Sequence, residues 1–452
     1  MKKICLVFAL MIACLLSACN VNELAQNGEQ VYMMGFGSVE IQLPKDSAQP
    51  LYIAGYNQGY TISGVLDLQR AQAVWVEDGR TSVLLISIDC IGLGSGTVEE
   101  IRARLKEFCK ETGCDSVNVI STHTHAGVDT LGLWGPVAQD GKNDEFMENL
   151  KAAAVEAAHL AYQDRSRGRL SYSKTETTGM QEDSRPDEVF DSNLYQLIFT
   201  PEDSAYNGIR IVNFAAHAES LRGSNTQVSR DFPGVMSDIV QQTTGEDVLF
   251  LPGAIGGLIM TPKFVQKPFH AVRNLQETGE RMADYVLTQG EQRELAPEIS
   301  VSRVTFRTEM TNTVFMYYRF LGILENEVHR TLLGSYEIQT ELTVIQFGDV
   351  TMALMPGEVF PELVFGTGNE SDPEALNTIA AERGYGSVLY VGLANDELGY
   401  IIPPSDYVLD EELPYLQQAD TDHYEETNSV GKNCAFDLAD AFAKALEGLG
   451  NK

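Results

Sequence analysis

Basic residues are scarce in this sequence of 452: 32 lysines and arginines stand against 64 aspartates and glutamates, a net charge of −32. So acidic a chain excludes nucleic acid as a partner and leaves no broad basic face for an anionic bilayer. Cysteines number seven, at positions 5, 14, 19, 90, 109, 114 and 434, and their spacing contains no CxxC pair, which excludes that kind of zinc module. No low-complexity stretch, repeat or long linker follows residue 30. One continuous domain is therefore expected over residues 31–452, long enough to bury a full core.

The apolar run at the N-terminus, Ile4 to Leu16, is too short to cross a bilayer. Preceded by Lys2 and Lys3 and ending in Leu16-Ser17-Ala18-Cys19, it has the form of a bacterial lipoprotein signal. Residues 1–18 are expected to be a signal peptide, Cys19 the lipidated first residue of the mature chain, and residues 19–30 a polar tether. That places the protein outside the cytoplasm, held to the bacterial cell membrane by a lipid anchor rather than by charge. Cys5 and Cys14 leave with the leader. Of the rest, Cys109 and Cys114 bracket an expected helix end; one pair could bridge after export, or Cys90, Cys109, Cys114 and Cys434 could all be buried thiols.

Along the domain, apolar runs of strand length alternate with amphipathic helices. Strands are expected at Gln72–Val76, Ser82–Ile88, Ser116–Ile120, Leu194–Thr200, Ile209–Phe214, Val248–Leu251, Val301–Arg307, Glu341–Phe347, Thr351–Met355 and Val388–Val391. Helices are expected after the capping box Thr97–Glu100, at Asn143–Gln163, after Pro233, at His270–Leu287 and at Cys434–Leu446. Mixed order of this kind indicates an α/β fold with a large mixed sheet flanked by helices.

Polar, ligand-type residues recur where apolar runs end. Ser116–Ile120 leads into Ser-Thr-His-Thr-His-Ala-Gly, with His123 and His125; Ile209–Ala216 leads into His217; Thr351–Met355 leads into Pro356-Gly357-Glu358. Ligand sites favour such strand ends. In extended backbone residues two apart face one side, so His123 and His125 can look into one cavity. Two histidines and a carboxylate suit zinc, with a coordination position left for water. Each residue also has a plainer reading: a single histidine after a strand as a hydrogen-bonded structural group, Glu358 as an acid at a helix N-terminus. His159, His270, His329 and His423 lie in helical or loop contexts and read as structural or solvated.

The assembly of these segments resembles the neutral ceramidase family. STHTHAG (Ser121–Gly127), NFAAH (Asn213–His217), SNTQVSRDFPG (Ser224–Gly234), PGAIGG (Pro252–Gly257), PGE (Pro356–Glu358), GLANDELGYIIPPSDY (Gly392–Tyr407) and HYEETNSVG (His423–Gly431) stand in that family's order. The opening AGYNQGYTISGVLDLQRAQAVWVEDG is similar too, so the resemblance spans about residues 35–445. It implies that His123, His217, Glu358 and Tyr400 bind Zn2+, a set whose tyrosine the residues alone do not suggest. It further implies that His125 serves as an acid or orienting group and that Arg185 and Tyr424 stand on the substrate side.

The chain departs from the family at several points. Gly256 stands where the family has a serine in its GDVSPN loop, Ala126-Gly127-Val128 replaces Ser-Gly-Pro after the histidine turn, and Ala218 replaces a proline. The sequence stops near residue 450, so no immunoglobulin-like C-terminal domain is expected. The activity implied is zinc-dependent hydrolysis of an amide bond, in ceramide, another N-acyl lipid or a small amide, with water as nucleophile. A zinc hydrolase of a non-lipid ester or amide, and a binding lipoprotein without turnover, are the alternatives.

Overall fold

Residues 30–450, apart from Asp187, Lys267 and Gln289, are described by a computed structural model of the chain. The expected signal peptide and Cys19 lie outside the described residues, as does the tether up to residue 29. In chain order the first half comprises β1 (Tyr32–Glu40), β2 (Gly64–Val65), β3 (Arg70–Glu77), β4 (Ser82–Ile88), α1 (Ser95–Arg104), α2 (Lys106–Thr112), β5 (Ser116–Ser121), α3 (Asp144–Gln163), β6 (Ser166–Glu176), β7 (Asn193–Pro201), β8 (Ile209–Phe214), β9 (Gln227–Val228), α4 (Asp231–Thr244) and β10 (Asp247–Pro252). There follow α5 (Ala271–Leu287), β11 (Gln292–Glu294), β12 (Ile299–Glu309), α6 (Thr313–Phe320), β13 (Glu327–Arg330), β14 (Tyr336–Phe347), β15 (Val350–Leu354), β16 (Glu358–Val359), α7 (Pro361–Phe365), α8 (Leu376–Glu382), β17 (Val388–Val391), β18 (Tyr400–Ile401) and α9 (Cys434–Leu449).

The larger sheet runs β10-β8-β7-β6-β1-β3-β4-β5, with β11 added on β6. Its two ends are parallel pairs, β10 with β8 and β4 with β5, and the strands between are antiparallel. These four end strands are buried at every position. Burial on both faces is why they read as unbroken apolar runs rather than as alternation. The sheet curls strongly: Gln72 on β3 and Ser87 on β4 donate to the carbonyls of Val248 and Phe250 on β10. The first strand of the order thus lies against the far end, and the C-terminal ends of β5 and β8 come together.

A second sheet, β12-β14-β15-β17 with β13 on β14, packs on the first through a shared core that includes Val74, Leu85, Ile211, Leu249, Ile345, Met352 and Leu389. Helix α3 covers β1 and β3. At Gly37 on β1 a Cβ would lie 2.2 Å from the Ala157 carbonyl of that helix, so only glycine permits this approach. Helices α4 and α5 pack together beside β10, and α9 lies on β12 and β14.

Two expected helix starts are displaced. The Thr97 capping box does not form: α1 begins at Ser95, whose N–H is taken by the Asp396 carboxylate at 2.7 Å, while Thr97 donates to Glu325. A carboxylate from a distant segment replaces the local cap. Helix α4 starts at Asp231, with Pro233 inside its first turn, where a missing N–H costs nothing. Strand β6 and helix α6, absent from the expected elements, complete the frame. Cys90, Cys109, Cys114 and Cys434 are all free thiols, and Cys109 and Cys114 do flank the end of α2.

Candidate metal centre

Three chain reversals deliver the ligand-type side chains. Past Ser121 the backbone does not stay extended, as the facing of His123 and His125 was expected to require. His123 has φ of 62°, the left-handed region that side chains other than glycine rarely adopt. The Thr122 N–H bonds the Ile88 carbonyl and the His125 N–H the Ala218 carbonyl, so the segment crosses from β5 to the end of β8. The two imidazoles converge because the chain turns. Such conformations cost about 1–3 kcal/mol and persist where surrounding bonds over-determine them.

His217 follows β8, with its backbone N–H on the Ile259 carbonyl at 2.8 Å. Glu358 opens β16, a two-residue parallel ladder with β18 in which Glu358 is paired with Tyr400. That ladder sets the phenol beside the carboxylate, a neighbourhood that a separation of 42 positions conceals. Burial drives the Tyr400 hydroxyl well above its ordinary pKa, and the Glu358 carboxylate it interacts with adds to this.

The imidazole protons are assigned by their partners. His123 Nδ1 lies 2.6 Å from the Ile91 carbonyl and His217 Nδ1 lies 2.9 Å from the Ile259 carbonyl. A carbonyl only accepts, so each Nδ1 carries hydrogen and each ring turns its Nε2 inward. Those Nε2 atoms stand 3.4 and 2.9 Å from Glu358 Oε2, and His125 Nε2 stands 3.1 Å from His123 Nε2. Three imidazole nitrogens and a carboxylate oxygen therefore meet at one buried point. Ligand atoms of His123, His125 and His217 all lie within 4.8 Å of one another, so this group could hold a metal ion. Burial alone would raise the Glu358 carboxyl, but His123 and His217 outweigh it and hold it well below the usual carboxylate range. Burial, and then the neighbouring His123 and His217, depress His125 well below an ordinary imidazole.

No protein-family model and no curated protein sequence matches the chain. Solved structures do. The crystal structure of neutral ceramidase from Pseudomonas aeruginosa aligns with a TM-score of 0.70 over 92% of this chain and 74% of its own, at 16% identity. A ceramidase complexed with C2 gives 0.70 over 93% and 76%, also at 16% identity. The fold is that of the neutral ceramidases.

Set in the neutral ceramidase fold, the remaining expected residues fall at different distances from the centre. Tyr424 is 42% exposed and stands edge-on to Tyr400 at 6.4 Å between ring centroids, on the rim of the site. Arg185 is only 5% exposed and lines neither cleft described below. Its guanidinium is held by Asp406 at 2.6 Å, Glu425 at 2.9 Å and Glu426 at 3.2 Å. It anchors the turn that follows Tyr424, and His423 joins the same cluster through Glu426 at 2.7 Å.

Gly256, expected to stand where the family has a serine, sits against the backbone of Phe360. A Cβ there would lie 2.6 Å from the Phe360 nitrogen, and the Gly256 N–H bonds the Val359 carbonyl at 2.9 Å. The loop thus closes directly behind Glu358.

Tyr56 and Glu219 were not foreseen. The Tyr56 ring packs edge-on to His125 at 5.3 Å, and its hydroxyl donates to Glu219. Glu219 also binds Arg222 at 2.7 Å and stands 3.8 Å from His125 Nδ1, a nitrogen with no hydrogen-bond partner. Glu219 follows His217 by two residues in a strand exit, but nothing in Asn213–Ser220 marks it as reaching His125. Tyr56 lies in the opening Gly55-Tyr56-Asn57 stretch, whose approach to His125 depends on tertiary structure.

Two clefts meet at Gly55, His125, Tyr400 and Tyr424. One is lined mainly by apolar side chains, among them Leu131, Trp134 and Phe315, with His123, Glu358, Arg319 and Glu397 also on its wall. The other carries Tyr56, Glu182, Glu219, Arg222, Lys263 and Gln266.

Proposed function

We propose that this chain is a zinc-dependent amidohydrolase that cleaves the carbon–nitrogen bond of an N-acylated lipid, ceramide or a relative of it. The observation that carries the reading is the buried meeting of ligand-type atoms from His123, His217 and Glu358 beside a largely apolar cleft, in a neutral ceramidase fold. His123, His217, Glu358 and Tyr400 would hold the ion, a nitrogen and oxygen set suited to zinc and containing no thiolate. Zinc held there would supply Lewis acidity, polarising the amide carbonyl and making water acidic enough to attack at neutral pH.

The chain's own residues supply the rest. The Ile91 and Ile259 carbonyls fix the tautomers of His123 and His217. His125 Nε2 faces the same point and moves a proton to the leaving nitrogen. Tyr424 orients substrate at the rim. Arg185 acts through the 424–428 turn, so it is a positioning residue. The apolar wall takes the hydrocarbon and excludes water. No hydroxyl at position 256 is required by this scheme, since water is the nucleophile. Cys19 carries the lipid that keeps the enzyme at the membrane, near its substrates.

Metal analysis of the purified protein lacking its leader should find about one zinc per chain, lost in His123→Ala and in His217→Ala. Hydrolysis of N-acyl amides by the same preparation should stop with a chelator and return with zinc. Full zinc content in both variants would reject the site. Zinc binding without hydrolysis of any amide would leave a binding protein.

A further inference from the structure

Two elements that border the largely apolar cleft also carry large apolar side chains on the side turned to solvent. Resting on the N-acyl lipid reading above, we infer that the tip of the β13–β14 hairpin and the outer side of helix α6 dock on a lipid bilayer, inserting into it beside the cleft.

Leu332 and Leu333 take the two central positions of the turn between β13 and β14, and both are wholly exposed. Such positions ordinarily go to Pro, Asp, Asn, Ser or Gly, whose chemistry shapes the turn. Here Gly334, with φ of 96°, supplies the left-handed residue, and the Thr331 and Ser335 hydroxyls bond each other at 2.8 Å across the loop. Nothing in the turn calls for leucine, yet the turn holds both leucines clear of the fold. Helix α6 repeats the pattern. Its Phe315 and Arg319 line the cleft, while Tyr317, Phe320 and, just past its end, Leu321 are exposed, Phe320 to 86%. Spacings of three and four put these three on one side of the helix, where a solvated helix would carry charge.

The cleft wall and the exposed tip are continuous. Val328 and Ile338 are register partners on β13 and β14, and both line the cleft, with Leu332 four residues beyond Val328. The Met310 N–H bonds the Tyr336 carbonyl at 2.9 Å, tying the approach to α6 to the root of the hairpin. Arg319 Nε bonds the Asn326 carbonyl at 2.7 Å, tying the end of α6 to the start of β13.

The shape and chemistry of this rim fit a bilayer better than a protein. A protein partner needs a pocket to receive two leucines on a protruding turn, whereas fluid acyl chains close around any tip. Tyr317, Tyr336 and Tyr424, all partly exposed, supply amphipathic rings of the kind that sit at headgroup level. Arg330, exposed beside the turn, makes no ion pair among the described residues, which leaves its guanidinium for a lipid phosphate. The acids of the hairpin, Glu327 and Glu337, stand further back along its strands. With a net charge of −32, the chain is not drawn to anionic membranes by its overall field, so apolar insertion must supply the contact.

Co-sedimentation with phosphatidylcholine vesicles tests this, using the protein lacking its leader so that Cys19 carries no lipid. All described elements lie within residues 32–449, so removing the leader leaves them whole. Binding is expected and, being apolar, should persist in about 1 M salt. Leu332→Asp combined with Leu333→Asp should lower the partition constant about a hundredfold and Phe320→Asp about tenfold, while Leu332→Phe with Leu333→Phe should retain it. Zinc content and the rate on a short-chain, freely soluble N-acyl amide should be unchanged in these variants. A parent protein that ignores the vesicles, or Asp variants that bind as well as it does, would overturn the inference. So would self-association abolished by the Asp pair without vesicle binding, which would make this rim an interface between copies of the chain. Vesicle binding lost with the tip in a protein that cleaves no amide would uphold the surface and reject the amidohydrolase reading.

Discussion

Single ionisable side chains carry consequences outside the centre. Glu362, in α7, is pushed up from 4.5 to about 7, by burial first and then by Asp183 and Asp406, and its Oε2 has no hydrogen-bond partner. A folded pKa above the unfolded one means the carboxyl costs nothing below about pH 4.5 and progressively more as pH rises through 7. The shift sets an upper bound of roughly 3 kcal/mol, reduced by the water that reaches a partly exposed group. Glu362→Gln should therefore stabilise the protein in urea unfolding at pH 8 by about 1–2 kcal/mol and change little at pH 4.5. An equal effect at both pH values would show that the residue titrates normally. The glutamate itself is plain in the sequence; its perturbation is not, because Asp183 and Asp406 approach it from segments 179 and 44 positions away.

At the scale of elements, the short ladder β16 to β18 is the piece on which the site depends. It pairs Glu358 with Tyr400, and the Gly256 loop is pressed against the residue that follows it. Placing a hydroxyl there by Gly256→Ser would drive a Cβ into the Phe360 backbone, an overpacking that costs about 1–3 kcal/mol. Gly256→Ser should lower the midpoint of urea unfolding and bring no gain in hydrolysis. A variant of unchanged stability and higher turnover would show that the loop has room and that the lost serine mattered.

Elements of this kind also mark where sequence reading works. Continuous apolar runs such as Ser82–Ile88 and Ile209–Phe214 match β4 and β8 end to end, since strands buried on both faces leave an unbroken signal. Two-residue ladders leave none, so β16 and β18 emerge only in three dimensions. Helix α1 shows the converse: the capping-box pattern at Thr97 goes unused because Asp396 caps Ser95 from 301 positions on.

For the molecule as a whole, the order of the histidine turn, the strand-end histidine and the Pro-Gly-Glu turn was legible, and with it the neutral ceramidase fold, at an identity of 16%. What the order cannot convey is the curl that carries β10 over β3 and β4 and sets His123 near His217, with ring centroids 4.7 Å apart. The nest of carboxylates around Arg185 and the contact of Glu219 with Tyr56 are equally products of that closure. A lone arginine in a loop and an acid after a histidine carry no mark of it.

X-ray absorption at the zinc edge, measured on the zinc-loaded full chain, tests the central claim most directly. The account predicts a shell of nitrogen and oxygen only, at about 2.0–2.2 Å with imidazole scattering from two rings, and its collapse in Glu358→Ala. A sulfur shell at about 2.3 Å, or a spectrum unchanged by Glu358→Ala, would place the metal elsewhere and contradict it.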